Sequence, residues 1–461
     1  MTVSAARRLG AGGEAEVYEV DGRPGLAFKK YRLPSSERAA KLRVMLASPP
    51  LDAKAGGHVA IAWPEELVVD GRGVVEGFLM PRIDLTATVP LFQVYNPASR
   101  HQIAPAFTWR YLLRTARNVA AIVDSLHRSG YVVGDINESN LLVNRRALAV
   151  LVDCDSMQVR DPATGAVHRG GVGKPEFTAP ELQGIDLATV DRTVASDDFA
   201  VAVLVFQLLL EGVHPFAGVW RGRGEPPDIP ARMRAGSFPY RRGARVAPPP
   251  HALTLDVLPP ELRKLAWRAF TTGVRRPSGR PTSAEWVAAL ERADGSLQTC
   301  GRSPHHVFGA HLRRCPWCTR LDAGLPDPFP GPSGRSSLER RPPPRSVRLR
   351  AAAVAWTRAG AVWAARAVLA ALVRVGRWGW SHVRDPLAWT VPASLTGALV
   401  LALAPVPALV LLCSGALSSA YRTQRAQTWL RWRGPAWWPW LPAIAVAVVQ
   451  LVHGPWWWPL P

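Results

Sequence analysis

Asp135, Asn140 and Asp153 are the residues whose types and spacing can do chemistry. They lie in Tyr131-Val-Val-Gly-Asp-Ile-Asn-Glu-Ser-Asn-Leu-Leu-Val143 and, after the apolar run Ala149-Val-Leu-Val152, in the second acidic turn Val152-Asp-Cys-Asp155. The first aspartate can accept or orient the proton of an attacking hydroxyl. Asn140 and Asp153, the latter at the end of a predicted strand, can hold the metal ions that neutralise nucleotide phosphates. The spacing therefore predicts a phosphoryl-transfer site. A lone Asp-x-x-x-x-Asn is usually only a polar loop, so the prediction stands or falls on the elements around it.

Those elements follow in order along the chain. Leu9-Gly-Ala-Gly-Gly-Glu-Ala-Glu-Val-Tyr18 is a glycine-rich turn between two β-type runs, where small residues let backbone N–H groups approach phosphates. Ala27-Phe-Lys29 reads as a strand bearing a lysine, and strand alternation lets only one of Lys29 and Lys30 point inward. Thr178-Ala-Pro-Glu181, the apolar helix that begins at Asp198-Phe-Ala, and Arg280-Pro-Thr complete the series. Six pieces in this order resemble the eukaryotic-type protein kinases of bacteria. More narrowly, Ile61-Ala-Trp-Pro64, Gly77-Phe-Leu-Met-Pro81, Arg114-Thr-Ala-Arg-Asn118, Asp153-Cys-Asp-Ser-Met-Gln158 and Phe177-Thr-Ala-Pro-Glu-Leu182 resemble the branch described as helix-hairpin-helix-associated protein kinases. The resemblance covers roughly residues 5 to 320, and no helix-hairpin-helix signature accompanies it.

The resemblance implies a bilobal α+β fold and roles for particular residues. Gly10, Gly12 and Gly13 would cover the phosphates of ATP, Val17 would pack on the adenine, and Met80 to Ile83 would form the hinge between the lobes. Lys29 would position the α- and β-phosphates, Asp135 the acceptor hydroxyl, and Asn140 and Asp153 a Mg2+ or Mn2+ ion. Asp198 would anchor the catalytic loop, and Arg280 would pair with Glu181. Glu37, the one acidic residue on the helix predicted after the lysine strand, is the candidate partner for Lys29, although it lies early on that helix.

Departures from the family pattern matter as much. Ala15 replaces the third loop glycine. Gly134 stands where an arginine usually precedes the catalytic aspartate, so the usual pocket for a phosphorylated activation loop is missing and activation by loop phosphorylation is disfavoured. Asn137 replaces a lysine that commonly contacts the γ-phosphate, and Asp155 replaces the glycine of the metal-binding turn. Lys174 either substitutes in charge for that lysine or faces solvent.

Beyond residue 295 the sequence changes character. Cys300-Gly-Arg-Ser-Pro-His-His306 and Cys315-Pro-Trp-Cys318 offer thiolates and imidazoles at the spacing of a zinc ribbon. Four soft ligands with no spare acid predict a structural zinc ion on Cys300, Cys315, Cys318 and one of His305, His306 and His311. His306 is preferred, because Val307-Phe308 reads as the strand that follows it. Cys154 and Cys413 read as small buried residues. Residues 321–347 are proline-rich and predict a linker with little prospect of a core.

Charge divides the chain in the same place. The formal charge is +21, and beyond residue 300 there are 19 arginines, no lysine and four acidic residues, a net +15 in the tail. Such an excess suits nucleic acid or an anionic membrane surface. Within 348–461 the stretches 386–421 and 434–461 carry no Asp, Glu, Lys or Arg, and tryptophans bracket the second, as indole rings do at a bilayer interface. Residues 393–413 and 435–453 are near the length needed to span a hydrocarbon core. Membrane lipid is therefore the expected partner and nucleic acid is disfavoured. No amino-terminal signal peptide is visible, so the catalytic region is expected on the cytoplasmic side of the cell membrane.

The expected organisation is a kinase domain at 1–295, a zinc-ribbon-like module at 296–320, a linker at 321–347 and a membrane-associated region at 348–461. The expected activity is transfer of the ATP γ-phosphoryl group to protein serine or threonine hydroxyls. Two rivals are a membrane-tethered pseudokinase scaffold that binds partners through the zinc module, and a nucleic-acid-binding kinase.

Overall fold

A computed structural model describes residues 5–332 apart from residue 56. The amino-terminal lobe is a five-stranded antiparallel sheet and a helix. Its strands are β1 (Ala5–Ala11), β2 (Ala15–Val20) and β3 (Leu26–Tyr31), then α1 (Ser36–Ala47), β4 (Glu66–Val69) and β5 (Val75–Pro81), in the spatial order β1-β2-β3-β5-β4. Register decides the lysine question. Val17, Lys29 and Phe78 are opposite one another across β2, β3 and β5 and so share the inward face, with Lys29 buried. Lys30 takes the other face and pairs with Glu76 at 3.3 Å.

The close approach of β3 to β5 beside Lys29 depends on a residue the sequence quoted only as part of a motif. A Cβ at Gly77 would fall 2.0 Å from the Lys29 carbonyl oxygen, so no other residue fits there without moving the lysine strand.

The carboxy-terminal lobe is helical. In α2 (Trp109–Arg128) the buried positions Leu112, Leu113, Ala116, Val119, Ala120, Val123 and Leu126 recur at helical spacing and form one apolar stripe. Next come the hairpin strands β6 (Leu141–Asn144) and β7 (Ala149–Leu151), which bracket the Asn140 and Asp153 ends of the site. Helix α3 (Val194–Leu209) is apolar nearly all round and buried on every face, which makes it the centre of the lobe. Helices α4 (Pro260–Phe270) and α5 (Ser283–Gly295) close the lobe, and a Thr282–Glu285 capping box starts α5.

A short hairpin, β8 (Leu297–Thr299) with β9 (Val307–Gly309), and α6 (Pro316–Asp322) carry the cysteine–histidine cluster. This module sits on the helical lobe: the Trp317 ring lies 6.2 Å from that of Trp109 at the start of α2.

The expected linker at 321–347 needs correction at its beginning. Phe329 is buried, its ring 4.8 Å from Trp317, and the buried Arg100 donates to the Pro328 carbonyl at 3.0 Å with its guanidinium 4.7 Å from the Phe329 ring centre. Proline-rich composition hid one aromatic anchor. Residues 321–332 therefore belong to the folded unit, whereas the rest of the expected linker and both expected membrane spans lie outside the described residues. No helix of the described residues is long and apolar enough to cross a membrane.

Candidate active site

Asp135 sits on a loop held from below by α3. The buried Asp197 carboxylate accepts the backbone N–H of Val133 at 2.7 Å and of Gly134 at 2.8 Å, and lies 3.0 Å from His127 Nε2. The anchoring role expected of Asp198 thus belongs to its neighbour. One residue on a helix is a rotation of about 100°, and Asp198 instead accepts from the backbone N–H and hydroxyl of Ser283, at 2.9 and 3.0 Å.

The loop closes on itself around the catalytic carboxylate. Asn137 Nδ2 donates to Asp135 Oδ1 at 2.9 Å and Asn140 Nδ2 donates to Asp135 Oδ2 at 3.0 Å. Asn140 thereby spends its amide N–H2 on Asp135 and keeps its carbonyl oxygen for a cation. The Val152 N–H donates to the Asn140 backbone carbonyl at 2.9 Å, which fixes the Asp153 turn beside the loop. Asn137 also accepts the Ser139 N–H at 2.9 Å, so it shapes the turn. Lys174 pairs with the buried Glu138 of the same loop while its side chain stays partly exposed.

Lys29 pairs with Asp153 across the cleft. Its second carboxylate is unexpected. Asp155, not Glu37, pairs with Lys29, and the Tyr31 hydroxyl donates to Asp155 at 2.9 Å. Glu37 is exposed in the first turn of α1, behind the Ser35 cap, and its helix turns Ala39, Lys41, Leu42 and Met45 inward. Glu37 is thereby corrected out of the site. It lies too early on the helix to reach the β3 lysine.

Electrostatics follow the contacts. Burial works against the Lys29 charge, but Asp155 and Asp153 outweigh it and hold the ammonium above its ordinary range. Burial likewise disfavours an Asp155 carboxylate, yet the Lys29 charge and the Lys29 and Tyr31 hydrogen bonds keep it ionised. Lys41 has no such partner at hydrogen-bond distance, and burial pushes it down to about 8 despite Asp155 nearby.

The roof of the cleft is the glycine turn between β1 and β2, closed by the Gly12 N–H donating to the Ala15 carbonyl at 2.8 Å. A Cβ at Gly10 or Gly13 would meet no protein atom within 4 Å, and one at Gly12 only the Ala15 carbonyl at 3.8 Å. The protein's own packing does not demand these glycines, which suits a surface kept bare for phosphates. Val17 lies beside Gly10 and Lys29, and Met80 lies near the end of β5, where the chain passes to the helical lobe.

Glu181 and Arg280 pair through two hydrogen bonds of 2.7 and 2.6 Å, with the guanidinium fully buried, so the far end of the activation segment is tied to the helical lobe.

Away from the cleft, Cys300, His306, Cys315 and Cys318 bring one ligand atom each to within 4.8 Å of one another. Individual separations are 3.6 Å for Cys300 to Cys318 and 3.4 and 3.7 Å from His306 Nδ1 to Cys318 and Cys315. A tetrahedral ion bound at about 2.3 Å places sulfurs about 3.8 Å apart, so the donor set fits a metal. The Asp327 carboxylate lies 3.0 Å from His306 Nε2, which turns Nδ1 toward the sulfurs. His311 instead contacts the Asp256 carbonyl at 3.0 Å, and His305 lies against Gly331.

A sheet lobe and a helical lobe with these groups facing one cleft form an arrangement suited to phosphoryl transfer from a nucleotide. The chain is 38% identical over 328 residues to Protein kinase YegI of Escherichia coli strain K12, an alignment covering 69% of this chain and 49% of the relative. With the protein of the same name from Escherichia coli O157:H7 it is 37% identical over 332 residues, 70% of this chain and 50% of the relative. A 109-residue stretch, 23% of this chain and 12% of the relative, is 31% identical to the Serine/threonine-protein kinase/endoribonuclease IRE1 of Oryza sativa subsp. japonica. The chain is thus a relative of bacterial protein kinases, and it spans about half the length of the two bacterial relatives. No protein-family model matches it.

The Lys29 pairing makes a direct prediction. Replacing Asp155 by Asn removes the buried charge that orients the lysine and should lower kcat/KM for ATP by about 10²-fold, while Glu37→Gln should change it by less than about threefold. Steady-state kinetics of the two variants decide it, and the reverse ranking would restore the helix glutamate to its role.

Proposed function

We propose that the chain is an ATP-dependent protein kinase that phosphorylates protein serine or threonine hydroxyls. The observation that carries this reading is the convergence of Lys29, Asp135, Asn140 and Asp153 on one cleft, with Asp135 held in a fixed orientation by two asparagine amides. Asp135 receives or orients the hydroxyl proton of the acceptor. Lys29 neutralises the α- and β-phosphates, held in place by Asp155, and the bare glycine turn covers them. Asn140 and Asp153 are the residues that would hold Mg2+ or Mn2+, and such an ion supplies neutralisation of charge on the phosphate oxygens. The serine/threonine preference is supported by the likeness to the rice serine/threonine-protein kinase.

The cysteine–histidine set supports a structural zinc ion at Cys300, His306, Cys315 and Cys318. The two uncharged stretches beyond residue 386 support attachment of the chain to the cytoplasmic face of a cell membrane, with residues 393–413 and 435–453 as the spans.

Each part has its own experiment. Asp153→Ala should reduce transfer of labelled phosphate to protein acceptors by about 10³-fold while nucleotide binding weakens far less. A wild-type chain that binds Mg-ATP but transfers nothing would favour the pseudokinase scaffold. Elemental analysis of reduced, freshly purified protein should find about one zinc per chain, and Cys315→Ser should lose it and expose residues 296–332 to protease. Well under one equivalent in the wild type would remove the zinc. Fractionation of cells should place the full chain in the membrane pellet, released by detergent and not by salt. Recovery in the soluble fraction without detergent would refute membrane attachment.

A further inference from the structure

Arg192 stands two residues before α3 and is buried, with 4% of its surface exposed. Its backbone is clamped by a single side chain. The Arg192 N–H donates to Gln158 Oε1 at 2.8 Å, Gln158 Nε2 donates to the Arg192 carbonyl at 2.9 Å, and the Gln158 N–H donates to the Val132 carbonyl at 3.0 Å. These bonds tie Arg192 to the strand-like stretch that leads into Asp135.

The guanidinium reaches from there to the activation segment. Its Nη2 donates to the Val172 carbonyl at 2.8 Å and to the Gly170 carbonyl. The residues around it are shaped to admit it. Gly134, immediately before Asp135, has φ of +76°, and a Cβ there would fall 2.5 Å from Arg192 Nη1 and 2.8 Å from Cζ. A Cβ at Gly170 would lie 3.0 Å from Nη2 and 2.2 Å from the Ser156 carbonyl. Any side chain at position 134 would evict the guanidinium.

A buried cation is costly unless donors and charges around it are matched. Asp197 and Asp135 favour the charge, but burial still depresses the Arg192 pKa, and its Nε has no hydrogen-bond partner among the described residues. The group is therefore kept at some cost to stability. What it obtains is a bridge between the catalytic loop and residues 170–172.

We propose that Arg192 is a positioning residue that holds the activation segment against the catalytic loop permanently, so that no phosphate on that segment is needed for transfer. In place of a loop arginine waiting for a phosphorylated side chain, the chain has a glycine, and an arginine from the entry to α3 fills the space and binds backbone carbonyls directly. This rests on the kinase reading above.

The test uses the full chain purified in detergent. Wild type treated with a broad-specificity phosphatase should keep its rate within about twofold. Arg192→Gln should lower kcat by about 10- to 100-fold with KM for ATP changed by less than about threefold, and should raise deuterium uptake over residues 165–176 but not over 109–128. Arg192→Lys, which keeps the charge but lacks the planar guanidinium that fills the space beside Gly134, should fall between. If Arg192→Gln does not fold, Arg192→Lys is held to the same kinetic and exchange criteria at about one-third of the effect. Loss of more than about tenfold on dephosphorylation, or a variant with wild-type kcat and unchanged exchange over 165–176, overturns the proposal. A wild type without transfer activity would sink the kinase reading alone, and the exchange comparison would then decide the role of Arg192.

Discussion

The Asp197 carboxylate is the contact on which the site depends. It is nearly inaccessible to solvent, and a carboxyl group in that position is tolerable only because donors surround it. Two of those donors are consecutive backbone amides, Val133 and Gly134, at the entry to the catalytic loop. A hydrogen bond from a backbone amide fixes the chain itself rather than one rotamer of one side chain. Two in succession fix the direction in which the next residue, Asp135, must leave. The helix behind the carboxylate is mostly apolar and buried from Ser196 to Leu209, so it cannot shift without disturbing the whole lobe. Asp198 on the same helix caps α5 through Ser283, and Ala195 accepts from Arg280, which also holds Glu181. Loop, activation segment and last helix are therefore all referenced to one rigid element.

The amino-terminal lobe solves its own positioning problem differently. A β3 lysine must be kept from wandering, and the cost of ordering so long a side chain is repaid only by a close counter-charge. Here that counter-charge comes from Asp155, two residues beyond Asp153. Lysine, phosphate contact and metal carboxylate are thereby fixed by one turn instead of by a turn and a separate helix. Helix α1 is released from this duty, and its inward face carries Lys41, a cation near two others, where a carboxylate would otherwise be needed. Helix α1 touches the Lys29 arrangement only through intermediaries: Arg38 lies 4.9 Å from the Tyr31 ring centre, and Tyr31 donates to Asp155.

Legibility in the sequence followed the range of each interaction. Asp135, Asn140 and Asp153 were readable because their spacing along the chain is set by one loop and one hairpin. Lys29 could be narrowed only to one of two neighbours until β-sheet register chose between them. His306 was readable from the strand that follows it. What remained hidden were partners brought from far away: Asp155 to Lys29, Asp197 to Gly134, Asp327 to His306. Adjacent Asp197 and Asp198 have the same chemistry, and only the phase of the helix tells them apart. Glu37 was chosen because it was the sole acid on its helix, an elimination that failed when the partner came from another element. Averaged composition labelled residues 321–332 as linker, although a single phenylalanine among prolines was enough to fold them.

That phenylalanine changes the meaning of the cysteine–histidine module. Trp317 lies between the ring of Trp109, at the root of α2, and the ring of Phe329, and its indole N–H donates to the Val307 carbonyl at 2.8 Å. Trp317 is also the residue between Pro316 and Cys318 in the second ligand pair. The segment that supplies Phe329 supplies Asp327, which orients the histidine ligand, and Pro328, which receives Arg100. Ligand geometry and core packing are thus carried by the same few residues. A metal at this site would pin the ends of a short hairpin and a helix whose tryptophan is a wedge in the helical lobe. Removing the ion would loosen that wedge at the base of α2, whose other end supplies His127 to Asp197. One continuous helix of 20 residues joins the Trp109 end, against the cysteine–histidine module, to the His127 end, beside the Asp135 loop.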